Sequence, residues 1–471
     1  MKKYFPYIAG EFVETQAAIS VINSYTRECF AEVSMASADD LERAIIAALK
    51  VEKELAVMPS YKRYEILMQI ATRLKEEKDD IGITLSKEAC KPLKLALAEV
   101  DRAIQTFIVA AEESKRLPAE YISVDWTAAG SGKEGLVKYF PVGLVAGISP
   151  FNFPLNLAVH KIAPAIAAGC PIILKPSSST PLTTLELARI IDTTELPKGA
   201  LSILPMDRKT GNIMVTDERF KLLTFTGSPE VGWKMKRDAG KKKVVLELGG
   251  NAGVIVTRTA DITSAVAKCV AGGFAYAGQV CIHTQRIYVH KDIFQDFTRE
   301  FVEKTINLKG GPAENADTDI SALIDEENAL RVEAWVKEAV AGGAQLLCGG
   351  GRQGSFIEPT VLTATKQEMK VSCCEIFGPV VVIEPYEDFQ KVVGEVNSGR
   401  YGLQAGVFTD SISEMDYAFN NIEVGGLMIN EVPTFRMDHT PYGGVKDSGL
   451  GREGVKYAIL DMMEPRLMVK G

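Results

Sequence analysis

The sequence predicts an α/β chain of two doubly wound parallel-sheet domains with a β-hairpin arm, and three observations point there. Short apolar runs alternate with amphipathic helical stretches from residue 143 onward, that alternation restarts near residue 254, and the Gly-rich segment 121–139 fits neither rhythm. Apolar runs separated by stretches of helical period describe parallel sheets buried on both faces. Two such sheets imply a cleft between domains, where ligands usually sit.

The first 120 residues read as mostly helical, with apolar residues at three- and four-residue spacing over 37–55, 60–85 and 93–115. Ser37, with Asp40 three residues on, suits the N-cap of the first. The hairpin of 121–139 follows, an arm that suggests a contact between subunits. Strands are then expected at 144–148, 171–174, 201–204, 221–225 and 243–248, with helices at 155–168, 183–192 and 229–239. After the restart, strands are expected at 254–257, 286–290, 345–348, 380–384, 405–408 and 427–429, with helices at 293–306 and 326–341 among them.

The 471 residues carry 53 Lys and Arg against 61 Asp and Glu, a net charge of −8. That balance disfavours nucleic acid and anionic membrane surfaces as partners, since both need a basic face. The uncharged stretch 139–160 is interrupted by prolines and asparagines and is no membrane span. The N-terminus has lysines but no apolar run behind them, so no secretory signal is expected. Eight scattered cysteines without a CxxC pair then read as reduced thiols of a cytoplasmic protein. Four histidines with no HExxH argue against a dedicated metal site.

Two GxGxxG matches fail on context. Gly130–Gly135 runs into a strand rather than a helix, and too little chain follows Gly449–Gly454 for a complete βαβ unit. Leu222 to Gly232 is a better phosphate cradle: a strand enters Thr226-Gly227-Ser228 and a helix opens with Pro229, Ser228 standing as its N-cap. Ordinary βα-turn chemistry reads the same way. Glu247 is an acid near the carboxyl end of an apolar strand, either a structural carboxylate or a group of raised pKa at the ligand crevice. Cys281, before a strand and among small residues, is an inert core thiol or a reachable nucleophile. His283 could share its face, but no third group that would orient the imidazole is identifiable.

Taken together, Ser149-Pro-Phe-Asn-Phe-Pro154, Ile173-Leu-Lys-Pro-Ser177, Phe225-Thr-Gly-Ser228, Leu246-Glu-Leu-Gly-Gly-Asn251, Gly278-Gln-Val-Cys281, Glu375-Ile-Phe-Gly-Pro379 and Pro441-Tyr-Gly-Gly-Val-Lys-Asp-Ser-Gly449 resemble the aldehyde dehydrogenase superfamily from end to end. The branch they resemble most acts on lactaldehyde and other small hydroxy- or phospho-aldehydes. The resemblance implies a Rossmann-like dinucleotide-binding domain at 1–120 and 140–249, a catalytic domain at 250–452, and an oligomerisation arm at 121–139 and 453–471. It implies a homodimer or homotetramer. It casts Cys281 as the nucleophile that forms a thiohemiacetal, Asn152 and the Cys281 N–H as oxyanion donors, and Glu247 as the base that hydrolyses the thioester.

For the cofactor, the resemblance implies Lys175 at the ribose and phosphate, Ser228 at the diphosphate, Glu375 at the nicotinamide ribose and Phe377 beside the nicotinamide. Ile148, Pro150, Ser177, Gly227 and Leu248 join the same surroundings. Relatives that prefer NAD often carry Glu where Ser178 stands, to repel a 2′-phosphate. Ser178, with Lys175 and with Arg208 and Lys209 nearby, points to NADP, NAD being the other candidate. Arg102, Arg436 and His439 are candidate anchors for a polar small-molecule aldehyde, against the reading of each as a surface or interdomain ion pair. Val280, where triose-phosphate-oxidising relatives often carry Arg, weighs against that substrate. The alternatives are a CoA-acylating semialdehyde dehydrogenase, which would lack the base at 247, and a catalytically silent binding or structural homologue.

Overall fold

In the computed structural model, which describes residues 1–471, the region read as mostly helical opens with strands. Lys2–Tyr4, Ala17–Ile22 and Cys29–Met35 form a small sheet, while Tyr7–Ile8 and Glu11–Phe12 extend a larger one. These strands are short or exposed; Ala17–Ile22 fully buries only Val21. They therefore show little of the alternation that marks a strand in a sequence.

Helices follow at Ala38–Val57, Ser60–Glu76, Lys78–Ala89 and Leu93–Ser114. Ser37 caps the first reciprocally: its hydroxyl accepts the Asp40 N–H while its own N–H donates to the Asp40 carboxylate. The stretch 60–85, expected as one helix, breaks at Glu77 (φ −104°, ψ 16°). Both pieces pack on Leu93–Ser114, which one straight rod would not allow.

The first large sheet holds five parallel strands: β1 (Val145–Ile148), β2 (Ile172–Lys175), β3 (Leu201–Ile203), β4 (Leu222–Thr226) and β5 (Lys243–Glu247). Their order is β3-β2-β1-β4-β5. The chain steps outward from β1 to β3 and then crosses to β4, so the winding reverses beside β1. The carboxyl ends at such a reversal form the ligand crevice of open α/β sheets. One connection lies outside the expected elements: the chain after β3 forms a helix (Arg208–Thr216) whose N-cap Asp207 accepts the Thr210 N–H at 2.7 Å.

The second sheet contains β6 (Ala252–Val256), β7 (Thr284–His290), β8 (Gln345–Cys348), β9 (Thr360–Thr363), β10 (Val380–Tyr386), β11 (Gln404–Phe408) and β12 (Gly426–Ile429) in the order β8-β9-β10-β7-β6-β11-β12. All neighbours are parallel except β8, which runs antiparallel to the unforeseen strand β9.

The arm is a three-stranded antiparallel sheet in which Ala119–Ser123 and Glu134–Pro141 are joined by Met463–Lys470. Between the second sheet and the arm the chain returns to the first sheet. Gly449–Leu450 pairs with β5, and the helix Val455–Asp461 packs on Leu93–Ser114 and on Asn156–Ala168. No helix is long and apolar enough to cross a membrane.

Candidate active site

Sheet register aligns the carboxyl ends of four strands. Glu247 lies beside Thr226, Phe225 beside Ile148, and Ile148 beside Lys175. Beyond β4, the Gly227 N–H donates to the Glu247 carbonyl at 3.1 Å. Ser228 holds the N-cap position of helix Pro229–Asp238 with an extended backbone, yet its hydroxyl makes no capping bond. The first-turn N–H groups thus keep their anion-binding capacity. Gly232 gives close approach to a side chain: a Cβ there would collide with Leu248.

Cys281 comes from the other sheet. The helix before it, Ile262–Phe274, stops short, and Tyr276, Ala277 and Gly278 take positive φ of 49°, 52° and 70°. Left-handed backbone at non-glycine residues costs of order 1–2 kcal/mol each, so the surroundings must enforce it. The Tyr276 hydroxyl is tied to the Ala89 carbonyl at 2.6 Å, and a Cβ on Gly278 would collide with the Gly378 carbonyl. This strained turn delivers a half-buried Cys281 to the mouth of β7.

A cavity of about 500 Å³ lies between the sheets. Pro150, Asn152, Gly227, Ser228, Glu247 and Leu248 line it from the first, and Cys281, Glu375 and Phe377 from the second. Ile148, Lys175, Ser177 and Ser178 stand off its wall, along the strand ends towards β2. A larger cleft of about 740 Å³, beside Arg27 and Phe356, contains none of these groups.

Within the cavity, the Asn152 side-chain amide donates one N–H to the Gln279 carbonyl at 3.0 Å. Its loop is fixed from below: buried Lys91 donates to the Asn152 carbonyl at 2.6 Å, and Glu99 accepts the N–H groups of Leu155 and Asn156. Glu375 accepts the Gly250 N–H at 2.9 Å, and a Cβ on Gly249 would collide with its carboxylate. Phe377 has a positive φ of 47° and meets Phe151 edge to face at 5.9 Å. Lys175 lies over Gly211 of helix Arg208–Thr216; neither Lys175, Arg208 nor Lys209 has an ion-pair partner.

Burial, and next the neighbouring Glu453, push the Glu247 carboxyl up to about 7 against the pull of Arg436 and Lys161. Burial raises Glu375 to about 8. Burial and then the Arg208 charge lower Lys175. His283 is pushed down to about 4 by burial, and its ring bonds the Gly273 carbonyl at 2.8 Å, away from the thiol.

Several groups at the site escape a sequence reading. Tyr442 Oη lies 3.1 Å from Cys281 Sγ and 3.3 Å from Glu247 Oε1. Buried Lys161 donates to Thr226 Oγ1 at 2.8 Å and faces Glu453 Oε1 at 3.4 Å. Signals for them existed. Lys161 is a cation in a helix buried all round, Asn156–Ala168. Glu453 sits inside the Gly449–Gly454 match rejected as a nucleotide loop, and Tyr442 inside the motif Pro441–Gly449.

The three candidate anchors differ in setting. Arg102 holds Asp438 through two hydrogen bonds, of 3.1 and 2.7 Å. Arg436 donates to Glu453 at 3.0 Å and stacks 3.7 Å over the Tyr442 ring, and its buried Nε–H has no hydrogen-bond partner. His439 is exposed on the same loop.

The model of the aldehyde dehydrogenase family matches residues 12–468. Over 470 residues the chain is 42% identical to a 3-sulfolactaldehyde dehydrogenase of Priestia aryabhattai, covering 100% of this chain and 98% of that one. It superposes with TM-score 0.98 and 47% identity on aldehyde dehydrogenase 21 of Physcomitrella patens in complex with its reaction product succinate, covering 100% and 98% of the two chains. A glyceraldehyde-3-phosphate dehydrogenase of Methanocaldococcus jannaschii complexed with NADP gives TM-score 0.93 at 38% identity, covering 97% and 100%.

Proposed function

The chain belongs to the aldehyde dehydrogenase family, and from that premise we propose that it oxidises a small aldehyde bearing a hydroxyl or acidic group to its carboxylic acid, with NADP preferred over NAD. The observation that carries this reading is the meeting of Cys281, Glu247 and Asn152 on the wall of one cavity between two sheets.

Cys281 Sγ adds to the aldehyde carbon, because a planar carbonyl must become a tetrahedral alkoxide before it can release hydride. The oxyanion faces the second Asn152 amide proton and the Cys281 N–H, neither of which has another partner here. When bound, the dinucleotide supplies the hydride acceptor. Ser228 and the free first turn of its helix suit the diphosphate, Glu375 the ribose beside the nicotinamide, and Phe377 its ring. Glu247 as carboxylate then takes a proton from the water that attacks the Cys281 thioester.

Two features support the finer points. Lys175 and Arg208 present paired positive charge that only Asp207 offsets, and Ser178 offers no repulsion to a 2′-phosphate. Arg102 and Arg436 flank the Asn152 loop and Tyr442, each already holding a carboxylate, Asp438 and Glu453, and the relatives named above handle sulfonated, phosphorylated or dicarboxylic compounds. Eight unpaired cysteines fit a reducing cytoplasm.

The test is an assay of small hydroxy-, carboxy-, sulfo- and phospho-aldehydes with both cofactors, following a burst of reduced cofactor. Cys281→Ala is expected to abolish the burst. A roughly tenfold preference for NAD in kcat/KM, about 1.4 kcal/mol, would remove the cofactor claim. Arg436→Ala should raise KM for the acidic aldehydes; an unchanged KM ends that residue's candidacy.

A further inference from the structure

Tyr442 is buried, and its hydroxyl has two hydrogen-bond neighbours, the Cys281 thiol and the Glu247 carboxyl. A buried hydroxyl needs one partner to escape a desolvation penalty, and this one joins two groups that both have reactions to perform. We propose that Tyr442 is a catalytic residue that carries the thiol proton of Cys281 to Glu247, arming the sulfur before the aldehyde is attacked. The inference rests on the function proposed above and deepens it.

The step balances without any co-reactant. The Cys281 S–H bond breaks and its proton joins Tyr442 Oη, while the proton already on Oη passes to Glu247 Oε1. A thiolate, an unchanged phenol and a protonated Glu247 result. That proton must leave Glu247 before the same carboxylate can act on water.

The surroundings suit a conduit better than an acid or a base. Burial, and then the neighbouring Cys281 and Glu247, push the phenol well above its ordinary range, so it stays neutral on either side of the transfer. Its ring is clamped on one face by the Arg436 guanidinium at 3.7 Å. Its backbone is fixed by an antiparallel bridge to Glu453. The hydroxyl is thereby held in place while its proton is free to exchange.

The experiment measures iodoacetamide alkylation of Cys281 against pH, read by mass spectrometry of the peptide so that the other thiols do not interfere. Wild type, Tyr442→Phe, Glu247→Gln and the double variant are compared. In Tyr442→Phe the rate near pH 7 should fall about tenfold or more and the midpoint of the profile should move upward, with KM for the dinucleotide unchanged. Glu247→Gln should move it the same way, and the double variant should be no slower than the slower single. A wild-type profile in Tyr442→Phe overturns the proposal, as does a shift in Tyr442→Phe with none in Glu247→Gln. Should Tyr442→Phe fail to fold, 3-fluorotyrosine at position 442, more acidic but nearly the same shape, must displace the profile; no displacement overturns the proposal. Persistence of the burst in Cys281→Ala would defeat the functional reading itself, whereas a dead Cys281→Ala beside an unmoved Tyr442→Phe profile defeats this inference alone.

Discussion

Glu247 ends an apolar strand, and its protonation is the residue-scale property most open to measurement. The carboxyl sits near 7 because burial and Glu453 disfavour its charge. Only the deprotonated form accepts a proton from water, so kcat should climb as pH rises through about 7 and level off above it. Glu247→Gln should keep a burst of reduced cofactor at high pH yet lose steady-state turnover by roughly 10²–10⁴-fold, and its rate should no longer follow that titration. A stopped-flow and steady-state comparison across pH checks both. At this scale the acid was legible, since Glu247 in Val244-Val-Leu-Glu-Leu248 is a charge where the pattern calls for none. Tyr442 was not, because a phenol in a Gly-rich loop is ambiguous until the fold sets it against a thiol.

The strands and helices were legible where their period was strong, and illegible where packing overrode it. Glu326–Ala341 shows four buried residues on one stripe and falls where its pattern predicts. The break at Glu77 has no local marker, because it is imposed by the helix both halves pack on. Arg208–Thr216 buries only Gly211, Met214 and Val215, too little for a readable stripe. The turn after β5 yields a prediction of its own. A side chain at 249 would drive into the Glu375 carboxylate, which accepts the Gly250 N–H. Leaving that buried N–H without its partner costs about 1–3 kcal/mol. Gly249→Ala should therefore raise KM for the dinucleotide by roughly tenfold or more while leaving the alkylation rate of Cys281 intact.

For the molecule as a whole, the arm presents Tyr121, Trp126, Leu467, Met468 and Val469 to solvent. An exposed patch of that kind seeks a partner surface, and a second copy of the chain is the natural occupant. Deleting 463–470 leaves a lone hairpin, which is marginal by itself. The variant's mass by light scattering should fall to that of a monomer, or to half an original tetramer. The hairpin was readable from its Gly-rich turn at 121–139. Its third strand leaves no local trace, because it pairs across most of the chain, and only the family resemblance placed 453–471 in the arm.

The segment 441–453 also bears on synthesis of the protein. It brings Tyr442 to the thiol, Gly449–Leu450 to the open side of β5, and Glu453 to Lys161. All three arrive late during translation. A nascent chain would expose Cys281 without its phenol or its edge strand, so reactivity toward aldehydes should switch on only once that stretch has cleared the ribosome, sparing the half-made enzyme from modification by its own substrates.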